Sequence, residues 1–208
     1  DFTMIMGYPG RTTRFQTSPE LKFQIEDNDI AIAARTIRQD VMLEDMLADP
    51  KVKIQYASKY SGSTNAWKKW QGMKLAFEKL DIIGRAEQEE AEFTAWVNAN
   101  KKRQEKYGSA LADLKAGIEA GKEAEFAFTK AYESVYRIEI TNFALNFNVA
   151  TQRAITAGQD TIAALNTALK SIAAQYGDYS VSTDRKVAKA LMKHYRDIAD
   201  PANYLKGL

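Results

Sequence analysis

The sequence lacks cysteine altogether and has a single histidine, His194, among its 208 residues. The absence of cysteine excludes disulfides, thiolate metal sites and cysteine nucleophiles, and it is compatible with either the cytoplasm or a Gram-negative periplasm. Any Ser-His-Asp triad within this chain would have to use His194. Because no serine lies in a Gly-x-Ser-x-Gly elbow, we predict instead that His194 is an exposed residue of the last helix.

The sequence also has no excess of either charge and no long apolar run. Lys and Arg number 29 against 27 Asp and Glu, so the net charge is +2, which argues against nucleic acid or an anionic membrane as the main partner. No apolar run approaches the roughly 20 residues that span a bilayer, and the first residues lack the zones of a signal peptide. The glycine-rich phosphate motifs do not occur, so no cofactor is expected.

A metal-carrying bundle is disfavoured as well. Leu191 stands three residues before His194, where a di-iron bundle would need Glu. The acidic run at residues 87–92 is typical of a solvated helix face, and the short basic run at 101–103 is too small for a nucleic-acid footprint.

The N-terminal residues predict a fragment of a larger, sheet-containing protein. Residues 1–6 (DFTMIM) form a short apolar pattern typical of a strand, with no initiator methionine before them. A lone strand cannot satisfy its own backbone groups, so we expect its partners in sequence outside this chain. Residues 7–10 (GYPG) predict a tight turn after it.

Nearly all the remaining sequence predicts helix. Ser18 is the expected N-cap of the first helix, before Pro19 and Glu20. Apolar spacing, interrupted by Gly, Asp and Pro residues, predicts helices over residues 27–48, 51–80, 83–107, about 111–120, 123–157, 159–176 and about 183–198. We expect a bend or functional irregularity at residues 61–64, charged residues of 123–157 facing outward, and Trp67 and Trp70 in packing roles. No internal repeat occurs, which disfavours a solenoid. The predicted fold class is therefore all-α, an irregular multi-helix bundle with a short N-terminal strand.

Two segments stand out as specific motifs: residues 6–15 (MGYPGRTTRF) and residues 56–73 (YASKYSGSTNAWKKWQGM). Both resemble serine peptidase family 46, the bacterial dipeptidyl-peptidases of the seven and eleven types. The resemblance implies a chymotrypsin-like β-barrel that carries the Ser-His-Asp triad and an inserted helical lid that caps the cleft. On that template, residues 1–17 are the end of the barrel, residues 18–208 are the lid, and the triad lies outside the chain, so these residues alone should be inactive.

The resemblance also implies one substrate-binding residue, Asn65, which matches the asparagine of the family's Asn-x-Trp-Lys stretch. That asparagine helps to hold the substrate's free amino terminus. An amide oxygen can accept a hydrogen bond from an ammonium group, which has three donors and no acceptor. Ala66 departs from the family, which often has an aromatic residue there, and Arg11 stays unassigned. No catalytic and no metal-binding residue is expected in the chain.

The implied partners are peptides with a free N-terminus and the missing barrel of the same protein, and the implied location is the periplasm or cell surface of a Gram-negative bacterium. A homodimer of the full-length protein stays open. From the residues alone, a helical interaction module that binds a peptide or a partner helix is the alternative.

Overall fold

The computed structural model describes residues 2, 4, 6 and 13–203. All regular structure in these residues is helical, which confirms the all-α class. Phe2, Met4 and Met6 are exposed and carry neither strand nor helix. The other residues of the expected strand, and the expected turn at 7–10, lie outside the described residues.

Eight α-helices follow one another in the described residues. Their bounds are α1 Ser18–Ala48, α2 Pro50–Lys79, α3 Ile82–Asn98, α4 Lys101–Tyr107, α5 Ala110–Ala131, α6 Glu139–Thr156, α7 Thr161–Gln175 and α8 Val181–Ile198. A π-helical turn at Tyr132–Tyr136 continues α5, and short 3-10 turns lie at Tyr176–Asp178 and Pro201–Asn203.

The contacts divide the chain into two compact units. The first comprises residues 1–26 and 74–122, and the second comprises residues 27–73 and 123–208. The long helices α1, α2 and α5 each contribute residues to both units.

In the first unit, the N-cap of α1 lies one residue earlier than expected. The Thr17 backbone N–H and hydroxyl donate to the Glu20 carboxylate at 2.6 and 2.9 Å, so Thr17, not Ser18, is the cap. Ser18 donates instead, through its N–H and its hydroxyl, to Glu90 on α3. The acidic run at 87–92 is therefore only partly a solvated face, since Glu87 also pairs with Lys22 at 2.7 Å.

Three helix boundaries differ from the sequence prediction. Helix α5 continues through Gly121, so this glycine does not end the helix as expected. An added Cβ at Gly121 would meet nothing within 4 Å, so packing does not require glycine there. Residues 83–107 are split by Asn100, whose side chain accepts hydrogen bonds from the N–H groups of Lys102 and Arg103 and so starts α4.

The third difference is the break between the π-helical turn and α6. Asp184, on α8, accepts hydrogen bonds from the N–H groups of Glu139 and Ile140 at 2.9 and 3.0 Å. This carboxylate satisfies two of the first N–H groups of α6 from 44 and 45 residues away. A cap that arrives from another helix leaves no local mark in the sequence, so a single helix over 123–157 was the wrong expectation.

The apolar core of the second unit brings α1, α2 and α8 together. Its buried residues are Ala34, Met42, Met46, Val52, Tyr56, Ile138, Val187 and Leu191. Helix α1 supplies three of them, Ala34, Met42 and Met46. Helices α6 and α7 pack against each other in the same unit.

A buried polar network links α1, α2 and the π-helical turn beside this core. Arg35 donates to both carboxylate oxygens of Glu133, from Nε at 3.0 Å and from Nη2 at 2.8 Å. Its third nitrogen donates to the Ser63 carbonyl at 3.2 Å, and its guanidinium lies 4.5 Å from the Trp70 ring centroid. Glu133 is only 4% exposed, so the expectation that the charged residues of 123–157 face outward is wrong at this position.

Ser63, within the continuous helix α2, completes this network. Its hydroxyl oxygen accepts hydrogen bonds from Arg38 at 2.8 Å and from Gln39 at 3.0 Å. Helix α2 runs unbroken from Pro50 to Lys79, so the expected irregularity at 61–64 does not form. A small hydroxyl residue is needed there because α1 delivers two buried donors to that point of α2.

Replacement of Ser63 by alanine is expected to lower the free energy of unfolding by about 1–3 kcal/mol, because the Arg38 and Gln39 donors lose their acceptor in a buried site. Urea denaturation followed by circular dichroism measures the change. Ser61→Ala is the matched control, since Ser61 is exposed two residues away on the same helix, and its effect should stay within about 0.5 kcal/mol. Equal effects of the two substitutions would contradict the network.

A second expectation concerns pH. Burial raises the pKa of the Asp27 carboxyl, with Glu125 and Glu133 adding to the rise and a hydrogen bond from Thr129 opposing it. The folded state therefore binds the Asp27 carboxyl proton more tightly than the unfolded chain does. At neutral pH the ionised Asp27 destabilises the folded state, and this destabilisation fades as the pH falls through the folded-state pKa.

Asp27→Asn should accordingly be more stable than the parent chain at pH 7.5, with the difference shrinking at pH 4. Denaturation at both pH values measures this, with Asp40→Asn, an exposed carboxyl on the same helix, as the control. A difference that grows toward pH 4 would show that the sign is wrong.

Candidate functional site

The second unit contains a cavity of about 440 Å³ beside the buried network. Helices α1, α2, α6 and α8 and the π-helical turn supply its walls. Its lining residues are Arg35, Arg38, Met42, Tyr56, Lys59, Gly62, Ser63, Tyr136, Arg137, Glu139, Asn142, Phe143, Asp184 and Val187.

The cationic side chains of this cavity are not equally neutralised. Arg35 is paired with Glu133, and Lys59 is paired with Glu139 at 2.5 Å. Arg137 lies over the Tyr132 ring, with Nε 4.0 Å from the same Glu133 carboxylate. Arg38 differs from these three, because its only hydrogen bond in the described residues is to the neutral Ser63 hydroxyl.

Arg38 is therefore a buried cation without a carboxylate of its own. It is 9% exposed, and burial lowers its pKa to about 10, while the charge of Glu133 acts in the opposite direction. A guanidinium offers five N–H donors in a planar fork. Most of the donating capacity of Arg38 is thus unused by the chain.

The acidic residues of the cavity are already engaged. Asp184 accepts from two α6 backbone N–H groups and from the Tyr179 hydroxyl at 3.0 Å. Burial, followed by this hydrogen bond to Asp184, raises the pKa of Tyr179 to about 12. Burial also raises the pKa of Tyr56, whose hydroxyl donates to the Ser180 carbonyl. Both phenols therefore stay neutral at physiological pH.

Asn65, the substrate-binding residue expected from the sequence, does not line this cavity. It is exposed on α2, and its amide has no hydrogen-bond partner within the described part of the chain. Two residues along a helix are turned by about 200°, so Asn65 faces away from the side on which Ser63 meets α1. Its neighbours on the same face of α2 are also exposed: Ser61, Gly62, Lys68, Lys69 and Gly72. Together with Asn65 they form the outward stripe of α2.

The two tryptophans of the same motif face the interior, as expected. The Trp67 indole N–H donates to the Thr36 hydroxyl at 2.9 Å, and Trp70 stacks with Arg35. Both are partly buried. The motif therefore divides into an inward half that packs on α1 and an outward half that carries Asn65.

His194 is partly buried on α8, so its expected full exposure is wrong. Its Nε2 is buried without a hydrogen-bond partner, and burial lowers its pKa. No serine donates to it in the described residues, so the structure assembles no triad there.

In the same residues, no group of three or more His, Asp or Glu side chains is placed to hold a metal. No described helix is long and apolar enough to cross a membrane.

The sequence analysis did not predict the buried polar network around Arg38, although the sequence contains a pattern that indicates one. Arg35, Arg38 and Gln39 are polar residues within the buried apolar stripe of α1, at helical spacing. Polar residues on a face that packs inward require buried partners, which indicates a network. The identity of the partners, Ser63 and Glu133, depends on tertiary packing.

Comparisons with known proteins agree on one family. A family model described as Peptidase S46 matches residues 1–205. Dipeptidyl-peptidase 7 of Porphyromonas gingivalis is 36% identical over 194 residues, which are 92% of this chain and 26% of that protein. The Asp/Glu-specific dipeptidyl-peptidase of the same organism is 32% identical over 202 residues, which are 94% of this chain and 27% of that protein.

A solved structure is similar as well. The chain matches the crystal structure of Porphyromonas endodontalis DPP11 in complex with the dipeptide Arg-Glu with a TM-score of 0.69 and 29% identity, over 93% of this chain and 28% of that one. This chain thus spans about a quarter of the length of these relatives. From the family match over residues 1–205 and the relatives that share it, the chain belongs to the Peptidase S46 family.

Proposed function

We propose that this chain is the helical cap of a serine dipeptidyl-peptidase, which removes dipeptides from the N-termini of peptides. The family match over residues 1–205, together with relatives that are named dipeptidyl-peptidases, carries the proposal. The cap closes the cleft of a β-barrel that is encoded outside these residues, and residues 1–17 lead into it from that barrel. The full-length protein acts in the periplasm or at the cell surface.

Asn65 holds the substrate's amino terminus in this proposal. Its exposure, its lack of a partner in the described residues and its place opposite the packed face of α2 support the role. Gly62 and Gly72 leave the surface beside it open, since an added Cβ at either would meet nothing within 4 Å. Neither glycine is required by packing in the described residues.

Two lysines restrict how such a site can work. Lys68 and Lys69 follow Asn65 by three and four residues, on the same face of the helix. Their charge disfavours a bound ammonium group, and an amide oxygen alone does not offset it. We therefore expect an anionic group from outside these residues to share the binding of the amino terminus.

In the full-length enzyme, Asn65→Ala should lower kcat/KM for peptides with a free amino terminus by about 10- to 150-fold, the loss of one hydrogen bond to a charged group, about 1.5–3 kcal/mol. Alanine favours an exposed helix, so unfolding is not the expected cause of any loss. Asn65→Asp keeps an acceptor and should retain most of the activity.

Asn148→Ala is the matched control, because Asn148 is an exposed asparagine on α6. It should leave kcat/KM unchanged. The same kcat/KM for Asn65→Ala and for the parent enzyme would refute the assignment of Asn65, whereas loss of activity in both alanine variants would point to a general effect on the cap.

The 208 residues alone should hydrolyse no chromogenic dipeptide substrate, because the single histidine is partly buried and meets no serine in the described residues. Steady-state assays of the purified chain beside the full-length protein test this. Turnover by the isolated chain that His194→Ala abolishes would overturn the proposal that it is a cap without a catalytic centre.

A further inference from the structure

We propose that the cavity in the second unit binds a carboxylate attached to a small apolar or aromatic body, with Arg38 as the side chain that holds the carboxylate. Arg38 and Ser63 lie where α1 and α2 pack together, and Asn65 is not among the residues that line the cavity, although its neighbour Gly62 is. The inference rests on the cavity's own residues and not on the proposed function.

The first argument is charge. Four cationic side chains line the cavity, namely Arg35, Arg38, Lys59 and Arg137. Glu139 and Asp184 line it too, and Glu133 lies directly behind Arg35, so four positive charges face three negative ones. The remaining charge is +1, which a monoanion such as a carboxylate neutralises.

The second argument is the geometry of the unused donors. Every acid in the set has its own partner, while Arg38 uses one hydrogen bond, to a neutral hydroxyl that also serves Gln39. The Arg137 Nε lies 4.0 Å from the Glu133 carboxylate but is buried without a hydrogen-bond partner. A buried guanidinium without an anionic partner is costly, and its planar fork matches the two oxygens of a carboxylate.

The third argument is the remainder of the wall. Met42, Tyr56, Tyr136, Phe143 and Val187 line the same cavity, and three of them are buried. The volume of about 440 Å³ falls within the roughly 300–1,000 Å³ of small-molecule pockets. An apolar body next to the carboxylate would fill this part, whereas a bare ion such as chloride or acetate would not.

Isothermal titration calorimetry of the 208-residue chain at constant ionic strength tests the proposal, with 3-phenylpropionate as the probe and 3-phenylpropanol as its neutral counterpart. The acid should bind and raise the thermal unfolding midpoint, and the alcohol should bind at least tenfold more weakly. Acetate and chloride should have little effect at the same concentration. Equal binding of acid and alcohol, or an equal response to chloride, would overturn the proposal without any variant.

The source of the carboxylate is settled by a second pair of probes. N-acetylphenylalanine presents the carboxylate of a peptide C-terminus, and its amide derivative lacks the charge. Tighter binding of N-acetylphenylalanine than of 3-phenylpropionate assigns the cavity to a peptide end, and the reverse order assigns it to a free small acid. Both orders support a carboxylate site.

Arg38→Gln should weaken binding of 3-phenylpropionate at least tenfold, while Arg153→Gln, which replaces an exposed arginine on α6 of the same unit, should not change it. Because Arg38 is buried, Arg137→Gln provides a second variant at a partly exposed residue and should weaken binding severalfold. Unchanged binding in both Arg38→Gln and Arg137→Gln would overturn the assignment of the site.

Discussion

The buried ion pair between Arg35 and Glu133 is the interaction on which the second unit depends. It joins residues 98 positions apart and fixes the π-helical turn against α1. Loss of one partner of such a pair leaves an unpaired charge in the interior, at a cost of about 3–5 kcal/mol. The third guanidinium nitrogen of Arg35 reaches the Ser63 carbonyl, so the same residue also sets the position of α2.

That constraint decides which face of α2 is available to other molecules. With Ser63, Trp67 and Trp70 turned toward α1, the helical repeat turns Asn65 and the glycines beside it outward. The same geometry places Arg38 at a cavity whose acids are all paired. The recognition surface proposed for peptides and the carboxylate site are thus two consequences of one buried network.

The sequence predicts the parts of this structure that depend on local chemistry. Apolar spacing predicted the all-α class and most of the helices, and Asp49 and Pro50 correctly predicted the end of α1 at Ala48. Features set by distant residues were missed: the Asp184 cap of α6, the Glu90 bonds to Ser18, and the buried Glu133. Ser63 shows the reason most clearly, because a serine between glycine and threonine indicates a bend unless buried donors from another helix meet it. The proposed role of Asn65 came only from a family motif, because no local pattern distinguishes it from any other exposed helical asparagine.

The most direct test of the cap proposal is a crystal structure of the full-length protein with a dipeptide bound. The account predicts that the Asn65 Oδ1 lies about 2.7–3.2 Å from the amino nitrogen of the dipeptide. A well-ordered dipeptide whose amino group is bound entirely by other residues, with Asn65 facing solvent, would contradict it.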